Sequence, residues 1–84
     1  MASVEDRVIA VTARVLELDP GQIKLNHVFT TDLGAESVQS VELVAMFEEE
    51  FEIEMDEDEA LSVSNVGDAV AYITKVCQDQ GVDA

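Results

Sequence analysis

Apolar residues recur at helical intervals in three stretches of the chain, and no stretch alternates for long enough to suggest a sheet. In residues 3–17, Val4, Val8, Val11 and Val15, with Leu18 just beyond, make one stripe. Ser3 is placed to cap this helix, with Asp6 three residues later as in a capping box. Asp19-Pro20-Gly21 ends it through turn chemistry. Residues 37–52 carry a second stripe, Val41, Val44, Phe47 and Phe51, with Leu43 beside it and Val38, Ala45 and Met46 on neighbouring faces. Residues 65–78 carry the third: Val66, Ala69, Val70, Ile73 and Cys77, capped by Ser64 or Asn65, with Asp68 in the first turn. The segment Asp56 to Leu61 is expected to add a turn or two of helix. The fold class is therefore all-α: a small bundle of three main helices plus one short helix, with a long loop between the first two main helices.

That loop, residues 19–35, has Ile23, Leu25, Val28, Phe29 and Leu33 as apolar pins. A loop so long in so small a domain is expected to be functional or well packed. Val41, Leu43, Phe47, Met55, Leu61, Val63, Ala69 and Ile73 are expected in the core.

Length and charge narrow the function. Residues 1–84 make one domain, whose modest core leaves little room for a water-excluding catalytic cavity. Four bases face 19 acids, a net charge of −15, in a chain that is 48% hydrophobic and so still able to fold. Nothing here neutralises a run of phosphates or suits an anionic membrane surface, so nucleic acid and membrane are disfavoured as partners. A basic protein partner is favoured, and charge makes a monomer the expectation. No apolar run is long enough for a membrane span, and the N-terminus does not read as a signal peptide, so the expected compartment is cytoplasmic.

Nine of the twelve residues from Glu48 to Glu59 are acidic, interrupted only by Phe51, Ile53 and Met55. A solvated face is one reading of this run. A calcium loop is a poor one: starting at Asp56, Asp58 fits the third position, but Ala60 falls at the fifth and Leu61 where a glycine is needed. One cysteine, Cys77, and one histidine, His27, exclude an internal disulfide and a Cys/His zinc site. No metal site is assigned. A triad of Ser37, His27 and Asp32 has only composition behind it; the chain is not expected to be an enzyme.

The informative segment is Phe29-Thr30-Thr31-Asp32-Leu33-Gly34-Ala35-Glu36-Ser37-Val38, where a glycine-containing loop delivers a serine to the start of a helix. Taken alone, Ser37 reads as an N-cap. Asp32-Leu33-Gly34-Ala35-Glu36-Ser37-Val38, followed by Val41-Glu42-Leu43-Val44 and Glu48-Glu49-Glu50-Phe51, resembles the prosthetic-group attachment region of the acyl carrier proteins. The similarity runs over nearly the whole chain and takes in Phe29, Ala60, Val66 and Tyr72-Ile73.

The resemblance implies that Ser37 carries 4′-phosphopantetheine through a phosphodiester and that the arm's distal thiol holds acyl groups as thioesters. A helix N-terminus suits that phosphate. Cys77, on the apolar face of the last helix, reads as a buried structural cysteine and not as the carrier thiol. The resemblance makes the second helix a docking surface for a phosphopantetheinyl transferase and for acyl-handling enzymes with basic patches. Glu36, Glu42, Glu48 and Glu49 would supply its charge, and Val38, Val41 and Ala45 its apolar contacts. It also implies that Leu43, Phe47, Met55, Leu61, Val63, Ala69 and Ile73 line a space that admits an acyl chain. Glu36 and Val38 stand where the family most often has Asp and Leu, and Gln39 and Asp56 where the commonest fatty-acid carriers have an acid and a proline. Those departures suggest a carrier dedicated to one pathway. The alternative is an acidic helical interaction module without a prosthetic group, in which Ser37 is only a cap.

Overall fold

A computed structural model describes residues 3–82, and the outermost two residues at each end of the expected domain lie outside them. The order is α1 (Val4–Leu16), a 3₁₀ turn (Pro20–Gln22), α2 (Ser37–Phe51), α3 (Glu57–Ser62) and α4 (Val66–Asp79). The all-α expectation holds, with no strand among the described residues and one isolated antiparallel bridge, Val28 to Asn65.

Local chemistry sets the helix ends. The Ser3 side chain accepts from the Asp6 N–H at 3.1 Å. Asp56 does the same for Glu59 at 3.1 Å, and Asn65, not Ser64, for Asp68 at 2.7 Å. Two helices end on residues in the left-handed region without a glycine, Glu17 at φ 56° and Glu52 at φ 55°. Their N–H groups donate back to Ala13 and Glu48, which satisfies carbonyls the helix leaves open.

The core gathers Val8, Val11, Phe51, Val66, Ile73 and Cys77, all nearly inaccessible to solvent. Thr12 is buried with them and satisfies its hydroxyl by donating to the Val8 carbonyl at 2.8 Å. The stripe predicted for the first helix is offset. Val8 and Val11 are buried, but Thr12, Ala13 and Leu16 join them, while Val4, Val15 and Leu18 are only half-buried.

The second helix needs a larger correction. Its buried line is Leu43, Phe47 and Phe51, while Val44 is half-buried and Val41 is 48% exposed. At about 100° per residue, Val41 and Leu43 cannot face the same core. Packing against α1 favours the line with the two aromatic rings. Leu61, expected inside, is 42% exposed, because α3 lies over the bundle with that side chain at a rim. In the long loop Ile23 and Phe29 are buried as expected, Leu25 is not, and Ala35 and Ile53 are core residues the pattern missed.

The loop is well packed because α4 holds it. Phe29 N–H donates to the Ser64 carbonyl at 3.0 Å, Val66 N–H to His27 at 3.0 Å and Gly67 N–H to Leu25 at 2.8 Å. Gly67 permits that approach: a Cβ there would stand 3.1 Å from the Leu25 carbonyl oxygen. On the far side, Arg7 joins α1 to the end of α2. Its Nε donates to Glu50 Oε2 at 2.9 Å and its Nη2 to the Glu50 carbonyl at 2.8 Å, with the guanidinium 4.3 Å above the Phe51 ring.

Candidate functional site

The segment that delivers Ser37 is a knot of short-range bonds. Asp32 and Leu33 N–H groups donate to the Val28 carbonyl, Ala35 N–H to Phe29, and the Asp32 carboxylate accepts from Val28 N–H at 2.7 Å. Gly34 takes φ +72°, which glycine adopts at little cost, and turns the chain into α2. Asp32 and His27 are each committed to this loop: His27 Nδ1 accepts from the Lys24 N–H at 3.1 Å. Neither is held on Ser37, and the triad has no support.

Ser37 is not the cap of α2. Glu36 holds the N-cap position and Ser37 is the first helical residue, exposed to solvent. Gln39 reaches back so that its side-chain oxygen accepts from the Glu36 N–H at 3.0 Å. The first backbone bond into the helix runs from Ser40 N–H to the Glu36 carbonyl at 2.9 Å, which leaves the Ser37 and Val38 N–H groups ahead of the ladder. The contrast with α4 is informative. There the same two positions, Val66 and Gly67, are satisfied by loop carbonyls. At α2 no described residue takes them up. An anion on the Ser37 oxygen would meet free N–H groups and the positive end of a helix of 15 residues. The side chain needs no rearrangement to be reached, so these residues fit a phosphodiester-linked arm.

From that corner an exposed strip runs along α2. Val38 (75% exposed), Val41, Glu42, Ala45 and Glu49 face solvent, and Glu36 sits at its head. From Val38 to Glu49 it extends about 16 Å. Glu48 departs from the reading that made it purely a surface acid. It is half-buried, and its Oε2 accepts from the Met55 N–H at 2.9 Å.

Behind the strip is a cavity of about 160 Å³ between α2, α3 and α4. Leu43 and Phe47 reach it from α2, Met55, Leu61 and Val63 from α3 and its flanks, and Ala69 and Ile73 from α4. The structure thus brings all seven predicted residues onto one space. Sequence reasoning missed Phe29, Thr30, Ser40, Val44, Ala60, Ser64 and Tyr72, which also line it. Ser40, one turn after Ser37, could have been found from helical spacing; Thr30 and Ser64 could not, since only the loop-to-α4 bonds bring them there.

Among the described residues, two groups have displaced proton affinities. Burial, with the carboxylates of Glu59, Asp56 and Glu48 adding to it, pushes the Tyr72 phenol up, against a backbone hydrogen bond at Asp56. Burial pushes the Cys77 thiol up, and Arg7 draws it partly back. Cys77 is 2% exposed and stays a neutral thiol at pH 7, as the sequence suggested. No described helix is long and apolar enough to cross a membrane.

Comparison with known proteins places this geometry. The sequence model of the family described as "Phosphopantetheine attachment site" matches residues 6–73. The acyl carrier proteins of two Caulobacter vibrioides strains, NA1000 / CB15N and ATCC 19089 / CIP 103742 / CB 15, are each 43% identical to the chain over 75 residues. That covers 89% of this chain and 96% of theirs. A solved structure from Mycobacterium tuberculosis, assigned as an acyl carrier protein (Rv0033), superposes with a TM-score of 0.81 at 30% identity, covering 87% of this chain and 97% of its own.

Proposed function

The chain belongs to the acyl carrier protein family, and from that premise we propose that Ser37 holds its prosthetic group and that the cavity behind α2 receives the acyl cargo. Members are carriers and not catalysts, and they carry a covalent 4′-phosphopantetheine. The observation that carries the assignment to Ser37 is its place: an exposed hydroxyl at the first position of α2, beside two N–H groups with no acceptor among the described residues. Residues 1–84 then form a single carrier domain, acting as a monomer in the cytoplasm.

The arm supplies a thiol that binds acyl groups as thioesters. The chain's own residues do the rest. The Ser37 hydroxyl offers the attachment point, and the Ser37 and Val38 N–H groups favour the phosphate against the surrounding negative charge. Leu43, Phe47, Ala69 and Ile73 remove an acyl chain from water, each buried methylene contributing about 0.8 kcal/mol. Leu61 and Thr30 stand at the rim.

A carrier works with acyl-handling enzymes. The exposed strip suits basic patches on them and on the phosphopantetheinyl transferase. Glu36, Glu42 and Glu49 raise the encounter rate and orient the approach, while Val38, Val41 and Ala45 add a small apolar contact. Glu48 contributes less to encounter than its neighbours, because its carboxylate is engaged with Met55. The partners belong to fatty-acid, polyketide or related lipid synthesis. Glu36 and Val38 beside the serine favour a specialised carrier.

The test is to incubate the chain with coenzyme A and a broad-specificity transferase and to locate the added mass by peptide fragmentation. It is expected on Ser37 and absent from Ser37→Ala. Charge removal at Glu42 and Glu49 together should lower the transferase's kcat/KM, and more so at low salt. Unmodified Ser37 with several transferases would leave an acidic interaction module instead.

A further inference from the structure

The cavity and the exposed strip share a wall. Val44 and Met55 line the cavity and also a shallow surface groove bordered by Val41, Ala45, Glu48 and Glu57. The two are unlike. Val44 is β-branched and fixed in the middle of α2, so it has little rotamer freedom. Met55 lies in the extended connection between α2 and α3, unbranched, half-buried and able to change shape at low cost. Its backbone is held on both sides. Its own N–H donates to Glu48 Oε2 at 2.9 Å, and the preceding Glu54 exchanges two hydrogen bonds with the Gln80 side chain. The anchor is firm and the side chain is the movable part.

Volume gives that arrangement a use. A cavity of about 160 Å³ is close to the engineered apolar cavities of about 150 Å³ that take up benzene, so it holds roughly six carbon atoms. A longer chain must stay partly outside at the rim of Thr30 and Leu61 or displace part of the lining. Phe47 and Ile73 are packed in the core, and Val44 is stiff. Met55 has open groove behind it. We propose that Met55, its backbone positioned by Glu48, is the gate that sets how much of an acyl chain stays inside. A chain beyond that length turns Met55 aside, and its end emerges in the groove against Val41 and Ala45. This rests on the carrier reading above.

The test follows methyl resonances of the chain loaded at Ser37 with saturated acyl groups from butyryl to tetradecanoyl, with intact mass confirming each load. The Met55 methyl should respond modestly through hexanoyl, on contact, and change sharply from octanoyl onward, and only then should Val41 and Ala45, which line the groove and not the cavity, shift. Met55→Leu, which keeps the volume but stiffens the side chain, should move that onset to longer chains. Glu48→Ala should speed Met55 amide exchange at least tenfold, whereas Glu48→Gln, which keeps an acceptor, should not. If Leu43 and Ile73 respond along the whole series while Met55 never does, the gate is overturned. If intact mass shows no loading, the carrier reading fails separately, and titration of the unmodified chain with n-hexanol and n-dodecanol decides the gate. A shift of Val41 and Ala45 with dodecanol alone supports it, and no shift of them with either alcohol overturns it.

Discussion

Replacing Arg7 with methionine keeps an apolar stem over Phe51 and removes everything the guanidinium does. Three interactions go. The ion pair with Glu50 has side chains 27% and 33% exposed, so after screening it contributes about 0.5 kcal/mol. The bond from Nη2 to the Glu50 carbonyl at 2.8 Å is charge-assisted and satisfies an acceptor near the end of α2, about 1.5 kcal/mol. The guanidinium 4.3 Å from the Phe51 ring centroid adds about 0.5–1 kcal/mol. The expected loss is about 2–3 kcal/mol, which for a domain of this size lowers Tm by roughly 10–20 °C. Urea unfolding at pH 7 should show a lower midpoint with an unchanged m-value. Glu50→Gln removes only the ion pair and should cost about 0.5 kcal/mol. The reasoning is refuted if Arg7→Met costs under about 1 kcal/mol, or if Glu50→Gln costs as much as Arg7→Met.

Because burial raises the Cys77 thiol above its ordinary value near 9.0, the unfolded chain loses that proton first. Stability should therefore be flat at neutral pH and fall as pH rises past about 9, and Cys77→Ala should flatten that fall in a urea series against pH. Tyr72 extends the decline past 10.0, its ordinary value. Asn65→Ala removes the acceptor for Asp68 N–H and should cost about 1 kcal/mol by thermal unfolding. A net charge of −15 makes the folded state repel itself, so the urea midpoint should rise with sodium chloride as the Debye length shrinks from about 30 Å to about 8 Å; a falling midpoint would show that ion pairing dominates.

The helices were legible because local signals and periodicity agree. Ser3 caps α1 as read, and the α4 face of Val66, Ala69, Ile73 and Cys77 is the buried one, but α1 stops earlier than the turn residues suggested, on left-handed Glu17, and Asp19-Pro20-Gly21 opens the 3₁₀ turn instead. Errors arose where periodicity admits two faces. On α2 either Val41 or Leu43 could lead a stripe, and only the position of α1 decides between them. Leu25 and Leu61 are apolar residues that tertiary structure leaves exposed, one beside the close approach of Gly67 and one at the cavity rim. Arg7 and Glu50 lie 43 residues apart, and no local pattern pairs them. Ser37 stood out through its motif, but whether it caps α2 depended on whether Glu36 would take the cap, which composition does not fix. The cavity lining was named through family resemblance, and its extent was not, because Thr30 and Ser64 arrive through backbone bonds between loop and helix.

The central claim is that Ser37 carries an arm on which acyl groups ride as thioesters. The most direct measurement is the intact mass of the chain after incubation with an acyl-coenzyme A and a broad-specificity transferase, before and after neutral hydroxylamine. The account predicts a gain of one acyl-phosphopantetheine, loss of the acyl part alone on hydroxylamine treatment, and no gain in Ser37→Ala. A gain that survives in Ser37→Ala, or no gain in the unaltered chain with any transferase tried, would contradict it.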